Sequence, residues 1–395
     1  MRADGDRMDY GTLQNKLNQA PFYIYGTGIV GISVYYALKE QYGMTPVSFL
    51  VTSLAGNPSQ IEEIPVQEAL EAALGDGLIL VAAPVEHHGA IGETLRNLGV
   101  SDEQIVFVDN ALENRIMGAY YASLPEFETA GALLKEVAKA DHEKTSEKAA
   151  EKEGESRQTE GKSERSRLDI RIYQAKCHVD RPLTQEETLP ACICPIQVGA
   201  ALTERSVADL KDNTGDNISR KNRDYCELTA TYYAWKNSGA AYKGLCHYRR
   251  VFELDAFELE KLFEGGETDV ILPYPTIHLP DISRQHSRYV SEPEWQAMCR
   301  AVEACEPSYA AEFDCLFSGR YFYNFNMLVA KAAVFDDYAR WMFGILERTE
   351  EIIARDGIAT TKRYAGYLGE NLTTLYFRRN RERLKIVHTG RRQLT

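Results

Sequence analysis

Four side chains with chemical potential stand in a row: His247, Tyr248, Arg249 and Arg250. They close the run Tyr242–Tyr248, which is apolar and short enough for a buried strand. In open α/β sheets, ligands bind just beyond the carboxyl ends of strands. A guanidinium forks onto phosphate oxygens, so two arginines and a histidine there suit a phosphorylated ligand. A solvated loop with a salt bridge accounts for the same Arg-Arg pair. Residues two apart on a strand share a face, so His247 and Arg249 should point one way and Tyr248 and Arg250 the other. Both arginines reach one ligand only if the strand ends before Arg250 and the chain turns. If one alone reaches, the pattern favours Arg249, beside His247.

A second candidate lies near the start. The β-rich run FYIY leads into Gly26-x-Gly28-x-x-Gly31, which opens a helical pattern. Such glycines allow a tight turn and close approach of backbone to phosphate, and the helix N-terminus offers free N–H groups to an anion. The next strand, Val47–Val51, ends in Thr52-Ser53. An NAD site wants an acidic residue there for the ribose hydroxyls, so NAD is not favoured. Leu78–Ala83 and Ile105–Val108 read as further strands with a helix over Ile91–Leu98 between them, a small parallel sheet of Rossmann type. His87-His88 reads as a polar turn, since neighbours on a helix point apart. This region resembles the small Rossmann domains attached to nucleotide-sugar enzymes and sugar acyltransferases. Those domains either bind a nucleotide sugar or act as scaffolds.

Several elements must position the arginine row. Asn222 can cap a helix whose stripe is Tyr225, Leu228, Tyr232 and Trp235. Glu227 falls away from the centre of that stripe, which predicts exposure. Just before it, Asp216 and Asn217 either bind substrate or shape a turn. Ile170–Ala175 and Asp269–Pro273 read as strands, and a loop with His278, Asp281 and His286 follows the second. Asn324–Ala330 reads as a strand that starts with the amides Asn324 and Asn326, groups suited to sugar hydroxyls. Phe335–Leu346 and Tyr364–Phe377 read as amphipathic helices, the latter carrying Glu370 and Asn371. From Arg378 onward the chain is basic, with seven Lys and Arg against Glu382. Such a stretch either packs on acidic surface, stays solvated or touches anionic lipid.

Seven segments in order carry a resemblance: PIQVGAAL, GDNIS, NRDYCELTATYYAWKN, GLCHYRRVF, DVILPYP, NFNMLVAKAAVFDDYARWMFGIL and RYAGYLGENLTTLYF. From about Ile170 to about Val387 the chain resembles a bacterial capsular and exopolysaccharide biosynthesis family, a glycosyltransferase-like domain first catalogued as of unknown function. The resemblance implies a GT-A-like fold, a nucleotide-sugar donor, UDP-linked in first choice, and a glycan or lipid-linked glycan acceptor. It sets Gly199 near the nucleotide base and matches a family glutamate at Glu227. Where the family has His-Lys after its first strand, this chain has Cys177-His178-Val179. Many GT-A enzymes neutralise the departing diphosphate with a metal ion held by Asp-x-Asp; His247, Arg249 and Arg250 stand at the corresponding strand end here. Donor binding is therefore expected of these three with Gly199, Asp216, Asn217 and Asn326, and no metal ligand is assigned. Glu370 is the first candidate for general base, ahead of Asp281 and Glu227. Gly26, Gly28 and Gly31 are the nucleotide-binding candidates of the first domain.

A chain of 395 residues has room for two cores. The expected division is a Rossmann-like domain over 20–125, a linker over 126–168 and a GT-A-like domain over 169–395. The linker rests on Asp141–Arg167, a run without large apolar residues that cannot offset its ordering entropy. A net charge of −13 excludes a general nucleic-acid binder, which needs a basic footprint. No C-x-x-C pair occurs, which argues against a zinc ribbon. No apolar h-region or run of about 18 apolar residues is present, so a cytoplasmic protein is expected, at most peripheral at the inner membrane face. The competing function is a non-catalytic nucleotide-sugar-binding scaffold of a polysaccharide assembly system. An oxidoreductase using the glycine motif would need a hydride-chemistry site that residues 1–125 do not offer.

Overall fold

The computed structural model describes residues 10–139, 168–184 and 188–395, and the fold is α/β. A first, Rossmann-like sheet comprises β1 (Phe22–Tyr25), β2 (Phe49–Val51), β3 (Gln60–Ile61), β4 (Ile64–Glu68), β5 (Leu78–Val81) and β6 (Ile105–Phe107). Their order is β3-β4-β2-β1-β5-β6, parallel except where β3 meets β4. β1 and β5 are apolar throughout because helices cover both faces. Ile29–Tyr42 and Asn110–Ala122 pack into one core, and His88–Asn97 into the other. The glycine turn after β1 is as tight as the motif requires. Gly26 has φ 122°, and a Cβ on Gly31 would lie 2.0 Å from the Gly26 carbonyl oxygen.

The second module is a mixed sheet. Its strands are β7 (Glu128–Thr129), β8 (Ile170–Lys176), β9 (Ile193–Gln197), β10 (Leu210–Lys211), β11 (Tyr242–His247), β12 (Arg250–Phe252) and β13 (Val270–Pro273). After a ribbon of β14 (Thr276–Ile277) and β15 (Tyr321–Phe322) come β16 (Leu328–Lys331), β17 (Ile386–Thr389) and β18 (Arg391–Gln393). The order is β10-β9-β8-β11-β16-β13-β17-β7, with β12 bonded to β11 and β18 to β12. Along that path β16 is antiparallel to both neighbours and the other pairings are parallel. The long helices Ala332–Asp356 and Tyr364–Arg379 pack into the larger core of this module.

Two boundaries differ from expectation. The interval 126–168 begins inside the fold: β7 pairs with β17, and 130–139 is helical, with Ala130 buried in a core. The run Asp141–Arg167 lies outside the described residues. The basic C-terminal stretch forms β17 and β18 rather than a tail. Arg379, Lys385, Arg391 and Arg392 pair with Glu312, Glu128, Glu113 and Glu253 at 3.0, 3.2, 3.2 and 3.6 Å. Of the alternatives, this is packing on acidic surface. Among the described residues no helix is long and apolar enough to cross a membrane.

The two modules share packed and hydrogen-bonded contacts. Ile277 of the second is buried in a core of the first. The Tyr121 hydroxyl donates to the Pro275 carbonyl at 2.8 Å, and Tyr120 and Tyr321 share a hydroxyl bond of 2.7 Å. Cutting the backbone at a protease site engineered between 140 and 167 is therefore expected to leave the halves associated. Co-elution of both fragments on gel filtration checks this, and separation into two folded fragments would show that these contacts are not enough.

Candidate functional site

The helix expected from Asn222 is in fact two. Asn222–Tyr225 stops at Cys226, where φ is 50°, and Leu228–Asn237 starts afresh. Asn222 does not cap the first turn; its amide donates to the Cys226 carbonyl at 2.7 Å and to the Thr229 hydroxyl at 3.1 Å, which holds the break. The break turns Glu227 inward. Expected on the solvent side of an unbroken helix, it is 8% exposed and accepts from the Asn326 amide at 2.8 Å.

The strand expected over Asn324–Ala330 begins only at Leu328. Ahead of it Phe325 and Asn326 adopt φ 73° and 50°, left-handed values that persist in non-glycine residues only where neighbours hold them. The holders are the site candidates themselves. Glu370 accepts from the Phe325 N–H at 2.8 Å, and His247 Nε2 bonds the Phe325 carbonyl at 2.6 Å. A carbonyl only accepts, so this histidine nitrogen carries a proton and donates. Asn326 bonds Glu227, the Gly366 carbonyl and the Thr373 hydroxyl. Three candidates read separately from the sequence thus clamp one turn, which contains a fourth, Asn326.

That turn forms part of the wall of a cavity of about 980 Å³. Glu227, His247, Arg249, Arg250 and Glu370 all line it, as does Ile29 from the glycine turn of the first module. β11 ends at His247 and pairs with Arg250 across a tight turn, the condition under which both arginines face one cavity. Their surroundings differ. Arg249 donates to Glu86 of the first module at 3.0 Å. The Arg250 guanidinium lies 4.5 Å over the Phe325 ring and has no salt-bridge or hydrogen-bond partner among the described residues, the Glu370 carboxyl drawing it from further off. Burial, then the charges of Arg391 and Arg249, lower its pKa from the usual arginine value. Glu370 is pushed up to about 8, first by burial and then by the negative charge of Glu227, with Arg250 and Arg363 opposing. His247 is pushed down by burial, which favours the neutral ring. Among the described residues no three His, Cys, Asp or Glu side chains are grouped to hold a metal ion.

A family profile described as Domain of unknown function (DUF4422) matches residues 172–381, more than half of the sequence. The chain belongs to this family. The matched stretch contains every second-module candidate named above. Among solved structures, an apo structure of the bifunctional glycosyltransferase WbbM shares 27% identity with it, with a TM-score of 0.48. That alignment covers 57% of this chain and 45% of the WbbM chain, so the chain spans under half the length of that relative. A comparison with curated proteins finds no match.

The other candidates sit elsewhere in this member of the family. Gly199 has φ 65° and its N–H donates to Asp212 at 2.8 Å; a Cβ there would meet the Asn222 side-chain oxygen at 2.6 Å. It lies behind a lining residue rather than in the wall. Asp216 accepts from Tyr232 at 3.1 Å on the surface, and Asn217 bonds Gly215 and Ser219, the turn-shaping alternative. Asp281 accepts from the Ser283 N–H and hydroxyl at 2.9 and 2.6 Å, away from the cavity. His178, which departs from the family pattern, nonetheless lines it. Sequence reading missed Arg363, whose Nε donates to Cys226 Sγ at 3.0 Å, and Tyr289, stacked 4.4 Å from Tyr367. Arg363, Tyr289 and Tyr367 all line the cavity. Arg363 and Tyr367 begin the last of the family segments; Tyr289 carried no signal.

Proposed function

We propose that this cavity is the donor site of a glycosyltransferase. It takes a nucleoside diphosphate sugar, UDP-linked in first choice, and transfers the sugar to a hydroxyl of a glycan or lipid-linked glycan. The sequence resemblance supports a capsular or exopolysaccharide acceptor. One observation carries the reading: an arginine in no salt bridge and a protonatable carboxyl, Arg250 and Glu370, line the same cavity. Its size lies within the range of small-molecule sites.

The chemistry follows from charge. In a direct displacement the acceptor oxygen bonds to the anomeric carbon as the bond to the diphosphate oxygen breaks. Negative charge builds on the departing diphosphate, and Arg250 is the cation available to receive it, with Arg249 and Arg363 at the same wall. The acceptor hydroxyl gives its proton to ionised Glu370. Glu227, fixed by Asn326, keeps the Glu370 carboxyl basic and places negative charge near the oxocarbenium-like sugar. His247 serves by holding Phe325 in its left-handed turn.

A panel of UDP-, GDP- and dTDP-sugars tests the reading on the intact protein. One class is expected to raise the melting temperature and to be consumed, with release of nucleoside diphosphate, when acceptor glycan is added. Turnover is expected to survive EDTA. Binding without turnover would favour the scaffold alternative, and loss in EDTA restored by manganese would move diphosphate neutralisation from Arg250 to a metal.

A further inference from the structure

The first module reaches the arginine row by three routes. Asn110 and Asn114 stand one turn apart on the helix Asn110–Ala122 and treat β18 as a neighbouring strand would. Asn110 bonds both backbone groups of Gln393, at 2.9 and 3.1 Å, and Asn114 those of Arg391, at 3.0 and 3.2 Å. β18 pairs in turn with β12, the strand that begins with Arg250. Next, Glu113 pairs with Arg391 at 3.2 Å, with side chains only 13% and 16% exposed. Finally, Glu86 stands beyond the carboxyl end of β5. One of its oxygens accepts from Arg249 at 3.0 Å and the other from the Gln393 amide at 2.7 Å.

We infer that Glu86 is a positioning residue for sugar transfer, the group through which the first module acts on the transferase cavity. The inference rests on the proposed function. Both carboxylate oxygens are engaged, one by the rest of the fold, so the orientation of the Arg249 guanidinium is set from outside its own strand. A guanidinium has five N–H groups in a fixed fork. Glu86 takes one edge and leaves the rest for the diphosphate. Without it, Arg249 must be ordered at each turnover, a rotamer cost that preorganisation removes. Ile29 lines the same cavity, so the first module touches the edge of this site.

A double-mutant cycle tests this on the full chain. Glu86→Ala is expected to lower kcat about tenfold with donor KM within about twofold, Glu86→Gln to recover most of it, and Glu86→Ala to add under about twofold to Arg249→Ala. Dissociation constants for uridine diphosphate are measured alongside. Losses that multiply in the double variant would overturn the inference, because Glu86 would then not act through Arg249. So would a lower donor KM at unchanged kcat, the signature of an acid that merely competes with the donor. If the parent binds no nucleoside diphosphate, the proposed function falls and this inference with it. If the parent turns over and only the cycle fails, the proposed function stands.

Discussion

Arg250→Met is expected to abolish most sugar transfer while leaving the protein as stable as the parent, or more so. The guanidinium stacks on Phe325, is pressed by two arginine neighbours, and is drawn by the Glu370 carboxyl without a salt bridge or hydrogen bond to any described residue. A buried cation held by no salt bridge costs stability, and an unbranched apolar side chain of similar length keeps the packing on Phe325 without the charge. The same vacancy of partner makes the residue valuable to a diphosphate. Loss of a charge that meets a partner only when ligand binds costs about 2–5 kcal/mol, which is roughly 30- to several-thousand-fold in rate. Arg249→Ala is expected to cost less, because Arg249 already satisfies Glu86. Steady-state kinetics and thermal melting on the two variants decide the order. A larger loss from Arg249→Ala would return the leading role to the arginine that the strand pattern favoured.

The second large effect belongs to Glu370. Its carboxyl titrates near 8 in the folded protein because burial and the charge of Glu227 favour the neutral form. As a base it must be ionised, so kcat is expected to rise with pH and level off above about 8. Glu370→Gln should reduce transfer by about 10²- to 10⁴-fold and flatten that limb. Stability runs the other way. Between the ordinary glutamate value and about 8, the folded chain keeps a proton that the unfolded chain has released. The stabilisation linked to that proton is complete below the unfolded pKa and is lost as pH rises through the folded one. Glu370→Gln cannot ionise, yet its amide oxygen can still accept from the Phe325 N–H. Its stability relative to the parent should therefore grow by on the order of a few kcal/mol between pH 5 and pH 8.5. Urea titrations of both proteins across that range measure it. Parallel curves would show that Glu370 titrates like a free carboxylate, and would remove it as the base.

Local pattern in the sequence determined the two α/β modules, the glycine turn after β1 and the strand that delivers His247 and the arginines. Strand alternation, tight glycine spacing and helical stripes are short-range properties, set by sterics over a few residues. Glu370 could likewise be placed on a helix from its neighbours alone. Tertiary structure decided the rest. A single residue, Cys226, leaves the right-handed region and turns Glu227 from solvent into the cavity; nothing in the periodicity of NRDYCELTATYY marks that break. Phe325 and Asn326 give up strand geometry because His247, Glu370 and Glu227, all distant in sequence, bond them in a turn. The basic C-terminus became two strands because acidic partners and a free sheet edge lay within reach. Which arginine is left without a partner depended on Glu86, more than 160 positions before Arg249. Ion pairing of that kind is settled by where the whole chain brings charges together, and no local window of sequence contains it.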